Sequence, residues 1–150
     1  MPLAEIKAYI EFGPADEAVL RDLWVHTAPE RDAIIDRFYE RVFANPSTTA
    51  VLANPAMVEG LKRSLERWMG ELLQGPWDQD YYDARVRIGH RHVEVGLAHQ
   101  FMHTAMAGLL QDLTIVAMRS LPPEQFPTAL AALQKVTTMD LAVMTGTYMR

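Results

Sequence analysis

Prolines and glycines divide this 150-residue chain into segments whose apolar residues recur every three to four positions. That spacing places the apolar side chains of a segment on one side of an α-helix, and the two-residue alternation typical of a strand does not occur in the sequence. The breaks that end such segments are Gly13-Pro14, Asn45-Pro46-Ser47, Gly75-Pro76 and Leu121-Pro122-Pro123. The sequence therefore predicts an all-α fold.

The predicted helices differ in length, and the last two are long and rich in Ala, Leu and Met. Helices are expected over residues 3–12, a following segment to about 26, then 29–43, 55–73, 78–96, 98–119 and 123–150. Two starts have clear signals, because Asn54 and Asp78 can cap a helix and Pro55 suits a first helical position. The final helix has no terminating signal before Arg150. Two interpretations are open, a native C-terminus that frays or a helix that continues into a further domain of a longer protein, and we favour the second.

Composition limits the chain to one globular domain. With 49% hydrophobic and 22% charged residues it is apolar enough to bury a single core. The net charge is -5 with scattered Lys and Arg, which favours neither nucleic acid nor a membrane as a partner. The N-terminus lacks a signal-peptide pattern, so we expect a cytoplasmic location. Since the chain has no cysteine, a metal would need His or carboxylate ligands.

Histidine is the residue type most informative about chemistry, and the chain has His26, His90, His92, His99 and His103. His99 and His103 are four apart and could share a metal, but the segment offers no third ligand, so solvated or core histidines are the alternative. His90 and His92 are two apart and lie on opposite sides of a helix. His92 shares the apolar side with Ile88, and periodicity alone leaves both a core histidine and a metal ligand open.

Tyr39 also lies on the apolar side of its helix. Its segment, residues 29–43, places Ile35, Phe38 and Val42 on that same side, so Tyr39 is predicted to point inward. A buried tyrosine can bond to a nearby carbonyl or face a pocket.

The segment around His92 resembles the proximal helix of the globin-coupled sensors. The resemblance is carried by Leu73-Gln74-Gly75-Pro76-Trp77-Asp78-Gln79-Asp80-Tyr81, followed at set intervals by Arg85, Ile88-Gly89, His92 and Gly96-Leu97. It implies a globin-like fold with an extra short N-terminal helix and long last two helices. It also implies that His92 ligates the iron of haem b, with the opposite axial position open to a gas.

A second part of the resemblance lies upstream. Phe38-Tyr39 is similar to the family's Phe-Tyr pair, whose tyrosine hydrogen-bonds dioxygen, and Tyr39 precedes the predicted iron ligand by 53 residues. Leu61 and Ser64 stand where the family has a distal leucine and often a threonine. Ser64 keeps the hydroxyl but loses a methyl, and Phe101 stands where the family commonly has tryptophan. The resemblance covers roughly residues 29–101.

Other residues are expected to contact the cofactor because of where they stand in the resemblance. Leu61, Leu65 and Trp68 form an apolar stripe that suits a pocket wall or an ordinary core, and Ile88, on the same side as His92, is also a predicted pocket residue. Arg85 is a predicted partner of a haem propionate, whereas solvated surface charge is the expectation for Lys62, Arg63 and Arg67.

The distal helix, residues 55–73, contains no histidine that could close the sixth position. Met57 and Met69 are expected to be packing residues rather than ligands.

The resemblance implies a sensor domain rather than an enzyme. Dioxygen and other diatomic gases would be its ligands, the last two helices would form a homodimer, and a C-terminal signalling domain would receive the signal. One alternative is a single-domain globin for oxygen handling or nitric oxide detoxification. Another is a haem-free helical interaction domain in which His92 and Tyr39 are core residues.

Overall fold

The computed structural model describes residues 1–52 and 54–149, and within them every regular element is helical. The α-helices are α1 (Leu3–Tyr9), α2 (Pro14–His26), α3 (Arg31–Ala44), α4 (Pro46–Val51), α5 (Val58–Gln74), α6 (Gln79–Glu94), α7 (His99–Ser120) and α8 (Phe126–Gly146). Single 3₁₀ turns span Ala28–Glu30, Pro55–Met57, Pro123–Gln125 and Thr147–Met149. The all-α prediction is confirmed, with a short α1 and with α7 and α8 as the longest helices.

Side-chain caps begin three of these helical segments. The Asp78 carboxylate accepts the Tyr81 backbone N–H at 3.0 Å and starts α6, as predicted. Asn54 accepts the Ala56 N–H at 3.0 Å, but it starts a 3₁₀ turn that leads into α5. Asn45 was predicted only to break a helix, and its side chain also caps α4 by accepting the Ser47 N–H at 2.9 Å.

The first helix ends three residues earlier than predicted. Glu11 has a φ of 57°, a left-handed conformation in which an α-helix of L-residues does not continue. The turn at Glu11 places the Phe12 ring against the ring of Trp77, with an edge-to-face centroid distance of 5.2 Å. Phe12 is therefore buried by a turn after α1 and not by a longer helix.

Helix α8 forms the centre of the fold. It packs against α2, α5, α6 and α7, and its Ala132, Leu133 and Met139 side chains are fully buried. Helix α7 has the length and mean hydropathy, 1.2, of a membrane-spanning helix. A core helix of a water-soluble protein has the same properties, and α7 packs against α2, α3 and α8.

Gly89 is the position where α6 comes closest to the end of α8. A Cβ atom there would lie 2.5 Å from the Met144 carbonyl oxygen and 2.5 Å from the Thr147 hydroxyl oxygen. In the 3₁₀ turn that follows α8, the Tyr148 hydroxyl donates to the Leu97 carbonyl, in the loop after α6, at 2.7 Å. The end of α8 and the 3₁₀ turn after it therefore lie directly on α6 and on the loop that follows it. Arg150, the last residue of the predicted final helix, lies outside the described residues.

Candidate functional site

A cavity of about 370 Å³ lies between α3, α5, α6 and α7 and reaches α8 at Met144. Among the described residues its lining is apolar except for Tyr39, Asn54, Ser64, Arg91 and His92. Its volume is in the range of pockets that bind a small molecule or cofactor, about 300 to 1,000 Å³, and an apolar wall with few polar groups is typical of them. The cavity is therefore the candidate binding site.

The fold brings nine of the ten predicted site residues to this cavity. They come from helices that are distant in sequence and comprise Phe38, Tyr39, Leu61, Ser64, Leu65, Trp68, Ile88, His92 and Phe101. Of the two methionines considered as ligands, Met57 lines the cavity, whereas Met69 is fully buried elsewhere. Arg85 does not line the cavity.

His92 lies in the last turn of α6 and is half-buried. Its Nδ1 atom is 3.0 Å from the Sδ atom of Met102 on α7, so Nε2 is the nitrogen left for another partner. Burial lowers the pKa of His92, since desolvation disfavours the charged ring. The side chain is therefore a neutral imidazole at neutral pH, which is the form that binds a metal.

Tyr39 is buried in the wall that α3 contributes, with 7% of its surface exposed. Burial raises the pKa of Tyr39 to about 12, so its hydroxyl keeps its proton in the physiological range. Within residues 1–52 and 54–149 that hydroxyl has no hydrogen-bond partner, although a carbonyl partner was one of the two expectations. A donor with no described protein partner on the wall of a cavity is available to hydrogen-bond a ligand there.

Arg85 corrects one sequence prediction. Its guanidinium was expected at the cofactor, but it is fully buried behind the cavity and donates from Nε to Asp140 at 2.6 Å. It also donates to Glu71 at 3.0 Å and to the Trp68 carbonyl at 3.1 Å. Burial acts to lower the pKa of Arg85, but Asp140, Tyr81 and Glu71 together raise it above its ordinary value. Arg85 is therefore held as a cation inside the core.

The same carboxylate connects the cavity wall to α8. The Trp68 side chain lines the cavity, and its Nε1–H donates to Asp140 Oδ2 at 3.0 Å. The Tyr81 hydroxyl donates to Asp140 Oδ1, and burial followed by the charge of Asp140 raises the pKa of Tyr81 well above its ordinary value. Asp140 thus accepts hydrogen bonds from residues of both α5 and α6, a role that sequence reasoning missed.

Arg91 is a lining residue that the sequence analysis also missed. Within the described part of the chain it is the one side chain lining the cavity that carries a charge at neutral pH. It is exposed at the cavity mouth and forms no ion pair with a described residue. The missed signal was its position next to His92 on the same helix.

The few side chains that could act as metal ligands suit a metal that arrives with most of its ligands already bound. The described residues contain no group of three or more His, Asp or Glu side chains that could hold an ion, and the His99 and His103 rings are 6.4 Å apart. His92 is therefore the single imidazole that the described residues could offer to a metal in this apolar cavity. Haem iron suits such a site, because the porphyrin supplies four ligands and an apolar surface.

Solved globin domains have the same architecture. The globin domain of the Geobacter sulfurreducens globin-coupled sensor is 27% identical with a TM-score of 0.92, and the match covers 98% of this chain and 97% of that one. The globin domain of E. coli DosC, in a ferric and a ferrous form, is 18% identical with a TM-score of 0.82, covering 96% and 97%. The globin-like fold and the resemblance to the globin-coupled sensors are thereby confirmed.

A family model described as Protoglobin matches residues 2–150. The match includes all the helices and every residue that lines the cavity. The chain therefore belongs to the Protoglobin family.

Proposed function

We propose that this chain is a haem-based gas-sensor domain that binds haem b in the cavity, with His92 as the iron ligand. The observation that carries the proposal is the pairing of a neutral imidazole and an unpartnered Tyr39 hydroxyl on one apolar cavity. Haem, when bound, would supply an iron atom that holds a diatomic gas reversibly. Both its family and its likeness to a globin-coupled sensor domain support this function.

The cavity residues have separate roles in this proposal. Leu61, Leu65 and Phe101 provide apolar walls that keep water from the cofactor. Tyr39 donates a hydrogen bond to the gas ligand, and the Ser64 hydroxyl lies on the same cavity as a second donor. Helix α5 contains no histidine to occupy the gas position.

Arg91 replaces Arg85 as the proposed partner of a haem propionate. A guanidinium matches a carboxylate in shape and charge, and Arg91 is at the mouth of the cavity without a described ion-pair partner. Lys62, by contrast, is engaged with Asp36 at 3.0 Å on the surface.

Signalling would need a surface that transmits a change, and α7 and α8 offer one. Ala107, Gln111, Ile115 and Met118 form an exposed stripe along α7, with Met118 61% exposed. An exposed apolar stripe on a long helix suits association with a second copy. We propose that the chain forms a homodimer through α7 and α8 and passes the signal to a C-terminal signalling domain in a cytoplasmic protein.

The haem assignment is tested by the absorption spectrum of the purified chain supplied with haem. We expect a strong Soret band, and we expect the spectrum of the reduced protein to change reversibly when oxygen is added. A haem-free helical interaction domain would give no Soret band after excess haem is removed. A band that does not respond to any diatomic gas would contradict the sensor proposal while leaving haem binding intact.

A single-domain globin that handles oxygen or removes nitric oxide would have the same pocket. The two functions differ in assembly and turnover. We expect sedimentation to show a dimer, and we expect the oxygenated protein to consume nitric oxide no faster than its gas ligand dissociates. A monomer with rapid, repeated nitric oxide turnover would identify a detoxifying globin.

A Tyr39→Phe variant is expected to release oxygen faster. Its hydroxyl has no described protein partner, so its loss removes a donor to the ligand without breaking a bond inside the protein. A hydrogen bond worth about 1 to 3 kcal/mol corresponds to roughly 5- to 150-fold in the oxygen dissociation rate, measured by stopped flow. Carbon monoxide is the weaker acceptor, so its release rate should change much less.

The matched control is Tyr82→Phe. Tyr82 lies outside the cavity, and its hydroxyl donates to the Met1 carbonyl at 3.2 Å. Both gas release rates should stay at the wild-type values in this variant. Equal acceleration of oxygen and carbon monoxide release in Tyr39→Phe would count against a hydrogen bond to oxygen and would indicate a wider exit from the cavity.

A further inference from the structure

The partner of the second His92 nitrogen is a sulfur atom. Metal-binding histidines almost always donate their other ring N–H to a carbonyl, a carboxylate or water, and that bond fixes the ring and raises its basicity. Here Nδ1 lies 3.0 Å from the Sδ atom of Met102, and within the described residues it has no oxygen partner. The thioether occupies the place of the usual strong acceptor.

Met102 is held firmly in this position. It lies in the first turn of α7, and only 4% of its surface is exposed. The loop that brings it there is short and is fixed by the Leu97 N–H, which donates to the His92 carbonyl at 3.0 Å. The Tyr148 hydroxyl holds the Leu97 carbonyl from the other side at 2.7 Å. The contact between sulfur and nitrogen therefore belongs to the packed core.

A thioether sulfur is a weak hydrogen-bond acceptor and carries no charge. It is sufficient to favour the tautomer with the proton on Nδ1, which leaves the Nε2 lone pair free toward the cavity. The sulfur polarises the N–H bond only weakly. The ring therefore gains little of the imidazolate character that a carboxylate partner would give it. The result is a fixed imidazole that is a comparatively weak electron donor.

We propose that Met102 is the positioning residue for His92, and that its sulfur sets both the ring orientation and the weak basicity of the imidazole as an iron ligand. The inference rests on the proposed haem site. A weakly donating ligand stabilises the ferrous state relative to the ferric one, because the ferric ion gains more from a basic ligand. Met102 thereby favours the oxidation state that binds gas.

Two substitutions of Met102 separate acceptor strength from packing. Met102→Leu keeps an apolar side chain of similar volume and removes the acceptor, whereas Met102→Gln places an amide oxygen near Nδ1. The readouts on the haem-loaded protein are the iron–histidine stretching frequency, from resonance Raman spectra of the reduced gas-free form, and the reduction potential. Neither measures turnover.

The glutamine variant is expected to raise the stretching frequency and lower the potential, because the amide oxygen is the stronger acceptor. The leucine variant is expected to broaden the stretching band, because the ring loses its fixed partner. Met69→Leu is the matched control, since Met69 is fully buried outside the cavity, and both readouts should remain at the wild-type values. The leucine variant alone keeps the test decisive if the glutamine variant does not fold.

The possible failures are distinguishable. If the wild-type protein shows an iron–histidine band that both Met102 variants leave unchanged, the positioning role is overturned and the haem site stands. If the wild-type protein binds no haem, or shows no such band, the proposed function and this inference are both overturned.

Discussion

A His92→Ala variant is expected to lose most of the Soret band of the haem-loaded protein. His92 is the single histidine that lines the cavity in the described part of the chain, and its neutral ring leaves Nε2 free to bind iron. The remaining lining groups with a lone pair are thioethers, a protonated phenol, the Ser64 hydroxyl and the Asn54 amide oxygen, which bind iron weakly at neutral pH. Haem retention after gel filtration, followed by the absorption spectrum, measures the loss.

The control for this experiment lies on the same helix. His90 is exposed and does not line the cavity, so His90→Ala should retain the wild-type spectrum. Adding free imidazole to the His92→Ala protein should restore part of the band, because the small ligand can enter the space that the side chain left. A His92→Ala spectrum identical to that of the wild type would remove His92 as the ligand. Failure of imidazole to restore the band, with the fold intact, would indicate that His92 supports the cavity only structurally.

The second large effect is expected for Asp140→Ala, on stability. This variant leaves the fully buried Arg85 guanidinium without its closest carboxylate and removes the acceptor of the Trp68 and Tyr81 side chains. Removing one partner of a buried ion pair costs about 3 to 5 kcal/mol. That is a large part of the roughly 5 to 15 kcal/mol that stabilises a typical domain. Urea unfolding followed by circular dichroism measures the change.

Asp112→Ala is the matched control, because Asp112 is also an aspartate of a long C-terminal helix that pairs with arginines. Its partners Arg37 and Arg41 are at 3.4 Å and 3.7 Å and are each 46% exposed, while the Asp112 side chain is 12% exposed and its Oδ2 accepts no hydrogen bond from a described residue. Because the arginines stay solvated and Oδ2 has no hydrogen bond to lose, the loss should stay below about 1 kcal/mol. Adding Arg85→Met to Asp140→Ala should recover stability, because it removes the unpaired buried cation. Equal losses for Asp140→Ala and Asp112→Ala would show that the buried Arg85 pair contributes no more than a pair with solvated arginines.

Most of the helices could be predicted from the sequence because their signals are local. The cap at Asp78 and the breaks at Gly75-Pro76 and Pro122 depend on nearby residues alone. Helix α4 was missed because six residues are too few for a hydrophobic period to show. The early end of α1 was missed because the left-handed φ of Glu11 follows from the packing of Phe12 on Trp77, which are distant in sequence.

The candidate site shows the same limit. Periodicity correctly places Tyr81, Arg85, Ile88 and His92 on the inner side of α6, but it does not say what each one meets. Arg85 meets Asp140, which lies 55 residues later on α8, and no local pattern connects the two. That Tyr39 and His92 share one cavity follows from the arrangement of α3 and α6, which only the family resemblance anticipated. Met102 gave no sequence signal, and the only signal for Arg91 was its position next to His92.

Because α6 and the end of α8 approach so closely at Gly89, we expect the two segments to move together. Where two helices touch through long side chains, a small displacement of one can be absorbed by changes of rotamer in the other. At Gly89 the Met144 carbonyl lies where a side chain would be, and the neighbouring Thr147 side chain is short and donates its hydroxyl to that carbonyl at 2.6 Å, so few torsions can adjust. We expect that α6, the helix of His92, shifts along its axis only if the last turn of α8 shifts with it. The connection between the cavity and the C-terminal turn therefore runs through closely packed backbone at Gly89, which precedes His92 by three residues.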